Sequence, residues 1–210
     1  MSEIKKVALK HPEFFNIVDM VTGETHLGGN QEWYRDEFQR HAGCGPVVAS
    51  NLVSYSLASE TGASGPVDKA HFLSLMEELW LYVTPSRQRG LPSTDLFYKG
   101  LLAYAQDNGL RVRRCAIIDM HNPASERPCF TTVVNFLEEA LERDIPVAYL
   151  NLDSGEEKNL DEWHWVTVLS LEREGGQAYI EIMDEGKTKR IDLTIWYNST
   201  VLGGGFVYMR

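Results

Sequence analysis

The chain has 210 residues, of which 43% are hydrophobic and 24% charged, and its formal net charge is −10. This length supports one substantial domain, or two small lobes around a cleft, with a packed core. The acidic balance and the lack of a basic strip with interleaved aromatics argue against a nucleic-acid partner, because phosphate binding needs clustered Lys and Arg.

No apolar run approaches the roughly 20 residues that span a bilayer, so no membrane role is expected. The stretch Met1 to Lys10 lacks the apolar core of a secretory signal. Cys44, Cys115 and Cys129 make a sparse, odd set with no CxxC pair, which predicts neither zinc nor a dithiol site. A reduced, cytoplasmic setting fits, and it keeps a thiol free.

The first 40 residues are mixed. Residues 16–21 predict a short strand ending at Thr22-Gly23, 28–30 a turn, and 31–40 one or two helical turns. From Gly45 to about Ser59 the apolar residues cover much of a helical circumference, as in a largely buried helix. Pro46 suits its first turn. After a break at 61–66, a second helix is predicted over 66–83. A loop covers 85–92, and a third helix runs over 93–108 with Ser93 or Thr94 as N-cap and Gly109 as terminator. Residues 110–118 read as a strand and 130–143 as a fourth helix.

The remainder reads as strands at 145–152, 163–171, 177–183, 188–195 and 205–209. Glu174-Gly175-Gly176 marks a hairpin turn. Helices early and antiparallel strands late predict the α+β class. The expected organisation is one domain over 1–210, with a helical part over about 28–143 packed on a sheet part over about 144–210.

The chemistry concentrates at three places. Cys44, between Gly43 and Gly45, opens the buried helix. Glycines permit a sharp turn and close approach, and a helix N-terminus favours the thiolate, which is the nucleophile. The same residue also reads as a small buried hydrophobe. A nucleophilic thiol needs a base within reach. Among six histidines, His164 stands out at the start of an apolar strand, where a sheet can fix its ring. It also reads as a core histidine bonded to a backbone carbonyl. His11, His26, His41, His71 and His121 lie in less favourable contexts. Asp184 ends the next predicted strand, so a 163–171/177–183 hairpin would set it beside His164, where a carboxylate orients the imidazole. Ordinary turn chemistry is the other reading of Asp184.

Gly43-Cys44-Gly45-Pro46, Trp163 to Val168, and Asp184-Glu185-Gly186, in that order, resemble the papain-like cysteine peptidase superfamily, in particular its bacterial C39-like branch. Gly28 to Trp33 and Gly203 to Tyr208 are similar to the same group. The resemblance implies a papain-like fold with the cleft between helices and sheet. It implies Cys44 as nucleophile, His164 as base and then acid, and Asp184 as orienting residue. It also implies a glutamine that donates to the oxyanion together with the Cys44 N–H. Gln31 is preferred because it lies in the Gly28 to Trp33 stretch; Gln39, five residues before Cys44, is the alternative. Glu185 departs from the tryptophan that relatives often carry.

The function so implied is a thiol-dependent hydrolase, a cysteine peptidase or amidase acting through an acyl-enzyme on a peptide, small amide or thioester. An acyltransferase and a non-catalytic peptide-binding module on the same fold are the alternatives. No cofactor is needed, since the thiol does the chemistry. A metal site of His41, Cys44 and His164 lacks a recognised spacing. The acidic run Asp153 to Glu162 reads either as a solvated loop or as a flap over the cleft.

Overall fold

The computed structural model describes residues 4–63, 65–120 and 124–210. His121, Ser64 and the first three residues of the Met1 to Lys10 stretch lie outside the described residues. In chain order the elements are β1 (Lys5–Ala8), β2 (Asn16–Val18), β3 (Thr25–Leu27), α1 (Glu37–Ala42), α2 (Cys44–Thr61), β4 (Val67–Asp68) and α3 (Lys69–Trp80). They continue with α4 (Thr94–Asp107), β5 (Cys115–Met120), α5 (Phe130–Glu142), β6 (Val147–Asn151), β7 (His164–Glu174), β8 (Gln177–Asp184), β9 (Lys187–Asp192), α6 (Leu193–Ser199) and β10 (Gly204–Met209). Short 3-10 turns fall at Pro12–Phe15, Gln31–Trp33 and Ala124–Glu126. The class is α+β. No helix among the described residues is long and apolar enough to cross a membrane.

Seven strands form one sheet in the order β5-β10-β6-β7-β8-β9, with β1 also paired to β7. Every pairing in it is antiparallel. The eleven residues of β7 serve two neighbours on one edge: its first half pairs with β6 and its second half with β1. Successive strand residues face opposite sides, and the core divides accordingly. Ala148, Leu150, Val207 and Met209 pack with Leu52 and Val53 of α2 and Phe97 and Leu101 of α4. Val147, Tyr149, Phe206 and Tyr208 pack with Val133, Leu137 and Leu141 of α5 and with Trp196 of α6. Helices therefore cover both faces, which explains why β6 and β10 are buried at every residue.

The apolar circumference of α2 has its reason in this arrangement: every residue from Gly45 to Tyr55 is buried. Ser93 caps α4 by accepting from the Leu96 N–H, as its sequence predicts. The hairpin turn at Gly175-Gly176 is present, with both residues at positive φ.

Three expectations are corrected. The main sheet is not built from residues 144–210 alone, since β1 and β5 join it. The predicted strand over 188–195 stops at Asp192, whose side chain accepts from the Ile195 N–H and starts α6. The helix predicted from 66 begins at Lys69, because Val67 and Asp68 pair in parallel with β2.

Candidate active site

The β7–β8 hairpin fixes two of the three residues. Thr167 pairs with Met183, so by strand alternation His164 and Asp184 project from the same face. The turn that follows, Glu185-Gly186, has both residues at positive φ and closes directly onto Lys187, which pairs with Asp184. His164 donates from Nε2 to Asp184 Oδ1 at 2.7 Å. This leaves the other ring nitrogen free of Asp184, and Cys44 lines the same cavity and interacts electrostatically with the ring. Burial works against a charged ring here. The Asp184 carboxylate and the Cys44 sulfur outweigh it, and the pKa of His164 is pushed up to about 10.

Asp184 is buried among these groups. Burial pushes its carboxyl up, but His164 and Lys189 together hold it below the usual range. Lys189 donates to Asp184 Oδ2 at 2.8 Å and to Asp161 Oδ2 at 3.2 Å. It lies on β9 opposite Ile182, on the same face as Asp184.

Cys44 is the first residue of α2. Its N–H is therefore one of the helix-start donors with no acceptor inside the helix. The flanking glycines act through space rather than through unusual dihedrals. Gly43 has φ −82°, and a Cβ there would sit 2.4 Å from the Gln39 carbonyl oxygen and 2.7 Å from the Tyr34 ring. A Cβ on Gly45 would meet Leu91 at 3.0 Å and Trp165 at 3.5 Å. Close approach, not a turn, is what these positions require.

A cavity of about 20 Å³ is lined by Cys44, His164, Asp184, Gln31, Gly29 and Asn51, among others. Gln31 is thus at the site, whereas Gln39 lies on α1 and does not line that cavity. The 3-10 turn that carries Gln31 is capped by Asn30, which accepts from the Glu32 N–H. Asn51 of α2 fixes the loop before it: its Oδ1 accepts from the Gly29 N–H at 3.0 Å, and its Nδ2 donates to Thr167 Oγ1 at 3.2 Å. One buried amide so links α2, the Gln31 loop and β7. Gln31 Oε1 is buried without a hydrogen-bond partner.

Cys44 also borders a larger groove of about 660 Å³. Its walls come from α1, the 86–91 loop and Trp163. Trp163 is half exposed and has φ 53°, a left-handed conformation that is costly for a bulky residue and is maintained immediately before His164.

The other histidines sit elsewhere. His11 contacts Glu13, His26 stacks edge-on to Trp33, and His71 is exposed beside Asp68. His41 lines the groove. Among the described residues no group of three or more His, Cys, Asp or Glu side chains could hold a metal ion. The cysteines differ in setting. Burial pushes the Cys115 thiol up to about 12, while Cys129 is exposed and held below its usual value by Thr132.

The flap reading of residues 153–162 is corrected. Asp153 accepts from the Val201 and Leu202 N–H groups, Glu157 from the Asp192 N–H, and Ser154 donates to the Leu160 carbonyl. Ser154, Glu157 and Leu160 are buried, and the segment lines neither the cavity nor the groove.

Lys189 and Asn51 were not singled out by the sequence. A lysine on a polar strand and an asparagine in an apolar helix carry no motif. The asparagine did offer a signal, since a buried amide must find partners. No protein-family model matches the chain, and no curated protein shows significant similarity to it.

Proposed function

We propose that this protein is a thiol-dependent hydrolase, a cysteine peptidase or amidase on a papain-like fold, with Cys44, His164 and Asp184 as its triad and Gln31 as oxyanion donor. The observation that carries the reading is the 2.7 Å bond from His164 Nε2 to Asp184 Oδ1 at a cavity that the Cys44 side of α2 also lines. A raised imidazole pKa favours transfer of the thiol proton to the ring, giving a thiolate beside an imidazolium.

In this reading the thiolate attacks the substrate carbonyl, forming a C–S bond and a tetrahedral oxyanion. The Cys44 N–H and the Gln31 amide donate to that oxygen. Collapse breaks the C–N bond, and His164 gives its proton to the departing amine. Water, deprotonated by His164, then attacks the thioester, and the sulfur leaves as the acid forms. Asp184 keeps the ring oriented throughout and stays ionised. A reducing compartment such as the cytoplasm keeps the thiol available.

An acyltransferase would use the same groups with an amine or thiol in place of water, so analysis of the products distinguishes the two. The primary test is alkylation by chloroacetamide at pH 7, followed at each cysteine by mass spectrometry. Cys44 should react at least about tenfold faster than Cys129, and far faster than Cys115. His164→Ala should remove that advantage. Equal, slow reaction at Cys44 and Cys115 overturns the proposal.

A further inference from the structure

We propose that the groove beside Cys44 selects an acyl substrate bearing a carboxylate side chain, and that Arg87 and Arg89 recognise it. This rests on the thiol-hydrolase reading of Cys44. The chain has 30 acidic and 20 basic residues, yet the groove reverses that balance. His41, Arg87 and Arg89 line it, with no Asp or Glu among the lining residues.

The two arginines are presented by a closed loop. Ser86 and Gly90 exchange backbone hydrogen bonds at 2.7 and 3.0 Å, and Gly90 takes φ +59° to complete the turn. Arg87, Gln88 and Arg89 form its tip. The next residue anchors the loop: Leu91 accepts at its carbonyl from Trp165 Nε1 at 2.8 Å. Trp165 follows His164 on β7, so the cationic loop is tied to the strand that carries the proposed base. Among the described residues, neither arginine forms a salt bridge.

Arg87 lies over the Phe38 ring, 4.8 Å from its centroid. That contact steadies the guanidinium plane while leaving its N–H edge open for bidentate binding of a carboxylate. Phe38, Leu91 and Trp163 supply apolar walls for the methylene stem of such a side chain. A glutamate-like group, with a short aliphatic stem and a planar anion, matches both chemistries.

The test compares acyloxymethyl ketones of N-acetyl-glutamate and N-acetyl-glutamine on the Cys129→Ser protein. In each, the Cys44 sulfur forms a C–S bond to the methylene and the acyloxy group leaves as a carboxylate. The glutamyl probe should react about tenfold faster than its amide counterpart at low ionic strength. The difference should shrink as salt rises. Arg87→Gln with Arg89→Gln should bring the ratio of the two rates close to one, and Arg87→Glu with Arg89→Glu should invert it. A wild-type ratio of one or below overturns the groove assignment, as does a preference that survives both arginine replacements. If Cys44 reacts with the glutaminyl probe no faster than Cys115 does, the nucleophile itself fails and the selection falls with it.

Discussion

Lys189 and His164 each take one oxygen of the Asp184 carboxylate, at 2.8 Å on Oδ2 and 2.7 Å on Oδ1. A buried carboxylate is stable as an anion only when its lone pairs are met in this way. Lys189 is in turn held by Asp161. Replacing Lys189 with Met should raise the Asp184 pKa, since one of the two groups that lower it is gone. The acid limb of the pH–rate profile should move to higher pH, and Lys189→Arg should move it back. An unchanged acid limb in Lys189→Met would show that the lysine has no part in holding the carboxylate charged.

The His164 pKa of about 10 gives a signed expectation for pH. A group whose pKa rises on folding contributes stability that is fully present below its ordinary value of 6.5 and fades as pH climbs toward 10. In Asp184→Asn the His164 midpoint should fall, as followed by NMR of the imidazole. The stability gap between wild type and Asp184→Asn should be larger at pH 6 than at pH 10. Cys44 alkylation at neutral pH should drop about 100-fold in this variant, because the ring loses both its orientation and its charge partner.

Gln31 and Gln39 separate cleanly by position. Gln31 borders the Cys44 cavity with an unpartnered Oε1, and Gln39 does not line it. Gln31→Ala should lower the acylation rate by about 100- to 1,000-fold, the scale for losing one oxyanion donor. Gln39→Ala should leave it within about twofold, because an oxyanion effect needs a donor at hydrogen-bond distance. Single-turnover kinetics on a chromogenic thioester measures both, and a reversed order would move the oxyanion role to Gln39.

Asn51→Ala removes the amide that joins the Gly29 backbone, α2 and Thr167. The buried Gly29 N–H and Thr167 hydroxyl lose a partner, at a cost of about 1–3 kcal/mol for each group left unsatisfied. Denaturant titration should show that loss. Because the Gln31 loop is released at the same time, acylation should slow while chloroacetamide labelling of Cys44, which forms no oxyanion, changes less.

Gly43→Ala places a methyl carbon 2.4 Å from the Gln39 carbonyl oxygen. Backbone cannot yield as a side chain does, so the junction between α1 and α2 must shift, costing about 1–3 kcal/mol. Both the melting temperature and the Cys44 labelling rate should fall.

The legible parts of this fold were those in which local pattern and tertiary environment agree. α2 is apolar almost all round because the sheet and other helices enclose it. The β7–β8 hairpin is announced by its glycine pair, and its geometry sets Asp184 beside His164. Other features depend on partners distant in the chain. Lys5–Ala8 is half charged, and it becomes a strand because the long β7 leaves an edge for it. α6 contains Thr and Ile in its first turn and reads as a strand until the Asp192 cap is considered. The groove wall at 86–91 reads only as a loop because a two-bond closure between Ser86 and Gly90 has no periodic signature.

β10 lies between β5 and β6 and bonds to both, although it follows every other described strand. During synthesis, a polypeptide made only as far as Ser199 holds two apolar strand edges that have nothing to zip onto. The sheet can close only after the last six-residue strand emerges and inserts between partners made much earlier. Such ordering slows folding, since distant pairings must wait for the chain to loop back. The hairpin bearing His164 and Asp184 does not pair with that strand, so the two residues belong to a part of the sheet whose own pairings are local in the chain.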